Sequence, residues 1–411
     1  MGRWSNKYVI GLTGNIATGK SVVRQMLQHL GAYTIDADGL SNQAMQPGAP
    51  AYKPVVQKFG AFILDENKRI NRQMLAQIVF SNPAALQQLE SIVHPIVRRA
   101  VDTLVKRSKQ RVVVIEAIKL TEGEMSNWVD ATWVVDASPK TQLTRLVTKR
   151  KMSQQEATTR MQAQNPQSEK LKQADVVIKN DSDVEQTWKQ VQAAWQDVKK
   201  AVTGQQPAPK PTSPAGSATP PAAQQAAQDA AKRAADAVST PTSIQAGDIE
   251  VVRGNPDNAG AIAAFLTKHG EEEVSRMDIM MSFGSKSYMI AEGTGDDLVA
   301  VLGWQVENLI TCVDEFYMDK GAPMETVVQG TVAAVEEAST DLQSEVCFIF
   351  LPNSTPSGKV NAFRNHGYEM TGIRDIKIPA WREAVQEIMS QNDGYQILMK
   401  KLRDDRVLKP I

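Results

Sequence analysis

The sequence predicts a doubly wound α/β domain with a parallel sheet over residues 1–202, a flexible linker over 203–247, and an α+β domain over 248–411. Short apolar runs alternate with amphipathic helical segments through the first part. A segment rich in Pro, Ala, Gln and Ser follows, and strand and helix patterns resume beyond it. A chain of 411 residues also exceeds what one hydrophobic core usually organises.

The first strand and helix flank the sharpest motif. Residues 8–12 are an apolar run typical of a buried parallel strand, and residues 22–30 carry apolar side chains at helical spacing. Between them, G-x-x-x-x-G-K-S is the pattern in which backbone amides and a helix N-terminus cradle triphosphate oxygens. The residues expected to bind the nucleotide are Gly14, Asn15, Ile16, Ala17, Thr18, Gly19, Lys20, Ser21 and Val22.

The second strand, predicted over residues 32–35, ends in two carboxylates, Asp36 and Asp38. Ligands of open α/β sheets bind at the carboxyl ends of the strands. Aspartate is also favoured at helix caps and turns, so a structural role is the alternative. Beside a phosphate loop, such a carboxylate can take the proton from an attacking hydroxyl.

Helices are predicted over residues 40–80, with a turn at 46–50 and a break at Phe59-Gly60. Residues 83–109 keep a helical period, in which Pro95 should kink or divide the helix after His94. We expect His94 to be packed rather than catalytic, as single histidines usually are.

Two further buried strands are predicted at residues 112–115 and 133–135, each followed by an acidic residue. The helix over 140–149 ends in a basic run, which includes Arg150. This run either compensates the helix dipole or forms a mobile lid that brings a guanidinium to the phosphates. Arg160 and Gln164 lie one turn apart on the next predicted helix and could face the same cleft. A last strand at 176–178 precedes a helix with a tryptophan-bearing apolar stripe over 184–202.

Charge divides the chain in two. Residues 1–202 hold 28 Lys/Arg against 18 Asp/Glu, a net charge of +10, and the remainder has −10. A basic half suits a polyanionic nucleotide, and without interleaved aromatic and basic residues we expect no nucleic acid partner. The two cysteines lack metal-ligand spacing and are expected to be buried small residues. No signal peptide or membrane span is expected, and the predicted location is the cytoplasm.

Seven segments together resemble one family: GLTGNIATGKS from Gly11, IDAD from Ile35, QPGAPAY from Gln46, the His94-Pro95 pair, WVVDASPKTQLTRL from Trp133, RMQAQ from Arg160, and ADVVIKN from Ala174. They resemble dephospho-coenzyme A kinase. The family transfers the γ-phosphoryl group of ATP, with Mg²⁺, to the 3′-hydroxyl of dephospho-coenzyme A. The alternatives are a P-loop kinase of another small acceptor and a nucleotide-dependent switch that binds RNA.

The resemblance implies roles for individual residues. Lys20 would contact the β and γ phosphates, and Ser21 would ligate magnesium. Asp38 would be the general base, with Asp36 beside it to position substrate or metal, and Arg150 would be the lid arginine. Arg160 and Gln164 are the other expected substrate-binding residues. Where the family has Pro-Leu-Leu-x-Glu after the third strand, this chain has Ile-Lys-Leu-Thr-Glu at residues 118–122.

The second half is predicted to contain strands at 287–292, 299–307, 309–318 and 346–351, a helix at 323–340, and a final helix leading to Gly367. This order resembles the GCN5-related N-acetyltransferase fold. The segment from Asp319 to Met324 departs from the family's acyl-coenzyme A loop, because Pro323 removes an amide that would bind pyrophosphate. One hypothesis is therefore a second enzyme, an acetyltransferase. The favoured one is a non-catalytic module that binds a coenzyme A derivative or a protein partner.

Overall fold

A computed structural model describes residues 3–203, 249–270, 273–293, 297–390, 394–405 and 407. All but the first residue of the predicted linker, including its expected alanine-rich transient helix, lies outside these ranges. The described chain forms two units, each built on its own sheet.

The first unit is a five-stranded parallel sheet with the order β2-β3-β1-β4-β5. Its strands are β1 (Tyr8–Thr13), β2 (Tyr33–Asp36), β3 (Val112–Glu116), β4 (Ala131–Asp136) and β5 (Val176–Lys179). Its helices are α1 (Lys20–His29), α2 (Ala37–Ala44), α3 (Tyr52–Phe59), α4 (Arg72–Ser81), α5 (Pro83–Arg107), α6 (Pro139–Thr148), α7 (Gln154–Gln162), α8 (Gln167–Lys172) and α9 (Val184–Thr203). The predicted α/β class is confirmed.

The second unit is a seven-stranded mixed sheet with the order β11-β12-β10-β9-β8-β7-β6. Only the β9–β10 pairing is parallel. Its elements are β6 (Glu250–Arg253), α10 (Ala259–His269), α11 (Arg276–Ser282), β7 (Ser287–Glu292), β8 (Leu298–Glu307), β9 (Ile310–Met318), α12 (Met324–Asp341), β10 (Val346–Pro352), α13 (Ser357–Asn365), β11 (Glu369–Thr371), α14 (Pro379–Met389) and β12 (Tyr395–Lys401). This arrangement confirms the predicted α+β class.

One expectation about the first unit was wrong, and another is narrowed. Pro95 was expected to kink or divide its helix, and α5 is not divided there, since Val93, Ile96 and Val97 around it pack into the core and hold the helix together. His94 is exposed instead of packed. Both cysteines are buried and unbonded, as expected.

The two units meet along β2 and the helices beside it. Tyr33 and Leu104 of the first unit belong to one apolar cluster with Leu309 and Leu342 of the second. Two positive φ angles, 53° at Asn308 and 64° at Leu309, turn β8 into β9 and bring Asn308 against the first unit. There the carbonyl of Asn308 accepts a hydrogen bond from the side-chain amide of Gln43.

A ring contact and three ion pairs extend this junction. The His29 ring contacts the Phe283 ring edge to face, with 5.0 Å between the ring centroids. Ion pairs join Arg107 to Asp405, Lys109 to Asp341 and Glu185 to Arg276. Among the described residues, no helix is both long and apolar enough to span a membrane.

Candidate active site

The phosphate loop leaves β1 and enters α1 through two glycines with positive φ, 149° at Gly14 and 97° at Gly19. Other residues rarely adopt such angles. A Cβ on Gly14 would also collide with the carbonyl of Val135 on the neighbouring strand β4. Both glycines are therefore required by the backbone path from β1 into the N-terminus of α1.

Arg145 fixes the shape of this loop from α6. Its guanidinium donates to the carbonyls of Ala17 and Thr18 at 3.2 Å, and to the carbonyl of Asn180 at 2.7 Å. The side chain of Asn180 donates in turn to the Thr18 carbonyl at 2.8 Å. Because Arg145 and Asn180 bind these carbonyls on one side of the loop, the loop amides are left to face its concave side. In the sequence, Arg145 is one of several basic residues near the end of this helix. Nothing in the sequence pattern showed that Arg145, rather than another of them, would contact the loop.

The segment from α7 to α8 closes over the loop. Gln164 and Gln167 accept hydrogen bonds from the amides of Ile16 and Asn15, at 2.7 and 2.9 Å. Lys170, buried on α8, donates to the side-chain oxygen of Asn15 at 3.0 Å and pairs with Glu122 at 3.3 Å. Gln164 therefore reaches the nucleotide-binding loop, on the amides that would face phosphate oxygens.

The other residues predicted in this region are placed differently. Arg160 is exposed and pairs with Glu156 on its own helix at 2.9 Å. Arg150 is exposed beyond the end of α6. Val22 is partly buried and packs toward Gly284 of the second unit. Arg150 nevertheless lies close enough to the loop for its charge to lower the pKa of Lys20, whereas Arg160 has its ion pair on its own helix.

The two carboxylates at the end of β2, Asp36 and Asp38, lie in different environments. Asp36 caps α2, its carboxylate accepting from the amide of Gly39 at 2.8 Å. Asp38 lies in the first turn of α2, where its Oδ2 accepts from the amide of Ile118 at 3.1 Å. Burial, and next the charge of Asp36, raise the pKa of Asp38 to about 6, while the Ile118 bond lowers it.

Lys20 and Glu116 line the cleft between the phosphate loop and Asp38. Lys20 is buried and donates to the Asn15 carbonyl at 3.2 Å; burial lowers its pKa, and the charges of Glu116 and Asp38 oppose that effect. Glu116 ends β3, is buried, and pairs with Arg24 at 2.7 Å. The sequence pattern did not identify Glu116 as a site residue, although Glu116 ends β3 in the same way as Asp36 ends β2.

Oxygen donors for a cation lie beside the loop. The hydroxyl of Ser21 is 3.4 Å from the carboxylate of Glu116. The described residues hold no group of three or more His, Cys, Asp or Glu side chains that could bind a metal by itself. A hydroxyl with one carboxylate suits Mg²⁺, which usually takes few protein ligands and completes its shell with water and phosphate oxygens.

Comparisons with known proteins follow the two units. A family model described as dephospho-CoA kinase matches residues 8–186. The dephospho-CoA kinase of Bacillus cereus (strain ATCC 10987 / NRS 248) is 41% identical over 188 residues, covering 45% of this chain and 94% of the relative. The crystal structure of TT1252 from Thermus thermophilus is 30% identical and covers 47% of this chain and 99% of that one, with a TM-score of 0.42. The crystal structure of the ribosomal-protein-S18-alanine N-acetyltransferase from Escherichia coli is 10% identical in sequence. The match covers 38% of this chain and 96% of that one, with a TM-score of 0.30.

Proposed function

The chain belongs to the dephospho-CoA kinase family, and from this membership we propose how its own residues carry out the family's reaction. Its first unit catalyses the ATP-dependent phosphorylation of dephospho-coenzyme A to coenzyme A, with release of ADP. The acceptor atom is the 3′-hydroxyl oxygen of the dephospho-coenzyme A ribose. The cytoplasmic location expected from the sequence stays a prediction.

Asp38 is the general base in this proposal, and the observation that carries it is the position of Asp38 in the same cleft as Lys20. A pKa of about 6 leaves the carboxylate ionised at neutral pH yet basic enough to accept a proton. The acceptor oxygen then bonds to the γ-phosphorus as the bond to the ADP oxygen breaks. The hydroxyl proton ends on Asp38, and ADP leaves with the electron pair of the broken bond.

The phosphates are held from the other side of the cleft. Lys20 lies at the start of α1, where its charge can offset that of the β and γ phosphates. The amides of the loop donate to phosphate oxygens once Gln164 and Gln167 release them. Ser21, with Glu116 nearby, would hold Mg²⁺, which supplies charge neutralisation on the phosphates when bound. Asp36 fixes the turn that carries Asp38.

The expected lid residues lie on the segment after α6. Arg150 is exposed just beyond the end of α6, its charge already lowers the pKa of Lys20, and a closing motion of the segment would bring it nearer the transferring phosphate. Arg160, held only by a solvent-exposed pair with Glu156, is free to turn toward the substrate in the same motion.

The test is ADP release in a coupled assay with the full chain, ATP and Mg²⁺. Dephospho-coenzyme A should stimulate release, and Asp38→Asn should lower kcat by roughly 10²- to 10⁴-fold with a smaller effect on KM. Asp197→Asn, the same change at an exposed position on α9, is the matched control. No stimulation by dephospho-coenzyme A would favour another acceptor, and near-normal turnover in Asp38→Asn would show that the base is misassigned.

For the second unit we infer a binding role without acetyl transfer. Pro323 caps α12 without an amide, and the carboxylate of Asp319 lies in the preceding turn, where Lys268 and His269 contact it at 2.9 and 2.8 Å. The missing donor disfavours a pyrophosphate at this helix end, and the nearby cation Lys268 is already paired with Asp319. Amine-dependent turnover of acetyl-coenzyme A to free coenzyme A by the full chain, above the rate measured without protein, would contradict this inference.

A further inference from the structure

A cavity of about 260 Å³ lies between the two units, on the far end of α1 from the phosphate loop. The last turn of α1 and the segment before β3 form one wall. Strands β6 and β7 and the second half of α12 form the other. Gln28 and Arg253 bring polar groups to it from opposite units, and Glu337 and Asp341 line its α12 side.

Arg253 is an enclosed cation without a counter-ion. Its guanidinium lies 5.4 Å from the ring centroid of Trp304 and donates to the hydroxyl of Ser287 at 3.2 Å. No carboxylate among the described residues forms an ion pair with it, and its Nε is buried without a hydrogen-bond partner. Burial lowers the pKa of Arg253 to about 10, so it remains charged at neutral pH. An enclosed charge of this kind is costly unless an anion joins it.

Gln28 also lines this cavity. Its side-chain oxygen accepts from the hydroxyl of Thr34 at 2.8 Å, which fixes the direction of the amide group. The Nε2 of this buried side chain has no partner among the residues that the structure describes. A guanidinium and an amide donor that share one cavity match the two oxygens of a carboxylate.

The opposite charge lines the α12 side. Asp341 is already paired with Lys109 at 2.9 Å, whereas Glu337, one turn earlier, is exposed and in no ion pair within the described ranges. The exposed carboxylate of Glu337 would repel a phosphate dianion. It would attract a ligand that carries an ammonium group beside its carboxylate.

We propose that this cavity binds a free amino acid, with its carboxylate on Arg253 and Gln28 and its ammonium group facing Glu337. Because the carboxylate of the ligand contacts Gln28 of the first unit and Arg253 of the second, its binding stabilises the junction between the two units. The site is separate from the kinase cleft, and the proposal does not depend on the reaction assigned there.

Binding is tested on the full chain by thermal unfolding and calorimetry with each of the twenty L-amino acids. At least one should raise the unfolding temperature and bind saturably. Its analogues without the amine or without the carboxylate, and inorganic phosphate, should each bind at least tenfold more weakly. If no amino acid binds at millimolar concentration, or if the deaminated analogue or phosphate binds as well, the proposal is wrong.

Two variants locate the binding. Arg253→Met should abolish it, whereas Arg364→Met, at an exposed arginine on α13, should leave it unchanged. Glu337→Gln, on the exposed face of α12 and so without risk to folding, should weaken the amino acid about tenfold but not its deaminated analogue. Unchanged amino acid affinity in Glu337→Gln would place the ligand elsewhere and overturn the assignment, even if Arg253→Met does not fold.

Discussion

The amide of Ile118 donates to the carboxylate of Asp38 across 3.1 Å, and this bond joins the proposed base to the segment that follows β3. A proline at position 118 would have no N–H to donate. Isoleucine therefore gives Asp38 a hydrogen bond that proline could not provide. Such a bond favours the ionised form and lowers the pKa of Asp38.

A proline at position 118 should shift the pH dependence of kcat. In Ile118→Pro the lost bond raises the pKa of Asp38 further above its present value of about 6, so the base stays protonated to higher pH. The acid limb of kcat should move upward by about one unit, the size expected for one hydrogen bond to a charged group. Ile118→Ala, which keeps the amide, should leave the limb in place. Equal pH profiles for the two variants would exclude this role for the amide.

Asp38 should also cost stability at alkaline pH. Its pKa in the folded chain is raised above the ordinary 3.8, so the folded state favours the protonated acid, and that advantage is lost as the pH rises through about 6. Asp38→Asn should therefore stabilise the chain at pH 8, by about 3 kcal/mol, and have little effect at pH 4. Thermal unfolding at both pH values measures this. A stability gain at pH 4 as large as that at pH 8 would contradict it.

A negative charge at position 164 should compete with ATP. The Gln164 side chain accepts from the Ile16 amide at 2.7 Å, and a carboxylate there would accept more strongly and repel the phosphates. Gln164→Glu should raise the KM for ATP roughly tenfold, with the effect reduced at high salt. Gln162→Glu adds the same charge at an exposed position on α7 and serves as control. If both variants raise the KM equally, the charge acts at long range and not through the amide.

The packing of Gly39 against Asn308 provides a test of the junction in solution. A Cβ on Gly39 would lie 2.6 Å from the side-chain oxygen of Asn308 and 2.8 Å from that of Asp36, both too close. Gly39→Ala should therefore lower the unfolding temperature, although alanine favours helices. Asn308→Gly, which suits a φ of 53°, should recover part of the loss in the double variant. Strictly additive effects of the two changes would show that the contact is not formed.

Sequence patterns located the nucleotide loop and the acidic pair because both depend on local rules. A glycine-rich turn between strand and helix has a fixed geometry, and parallel strands bring their carboxyl ends to one edge. Gln167 and Lys170 contact Asn15 from more than 150 positions away in the chain, and no spacing predicts such a contact. The Ile118 bond uses the backbone, which every residue but proline offers, so its partner cannot be read from side-chain types.

The second unit shows the same limit. Strands β7 to β10 were predicted within one or two residues because their apolar runs are long and bounded. The short β11, the lysine-ended β12 and helix α14 were missed, and the helix expected to be final is followed by all three. β11 has three residues, and in β12 only Ile397 and Leu398 are buried, so neither strand leaves a long apolar run.

Tyr33 and Leu104 share one apolar cluster with Leu309 and Leu342, so the hydrophobic core crosses the division between the two units. Two polypeptides that end and begin near that division, residues 1–203 and 249–411, should then bind each other when mixed. Each made alone would expose the apolar surface that the other covers and would tend to aggregate. The peptide connection between them serves mainly to raise the local concentration of surfaces that already fit.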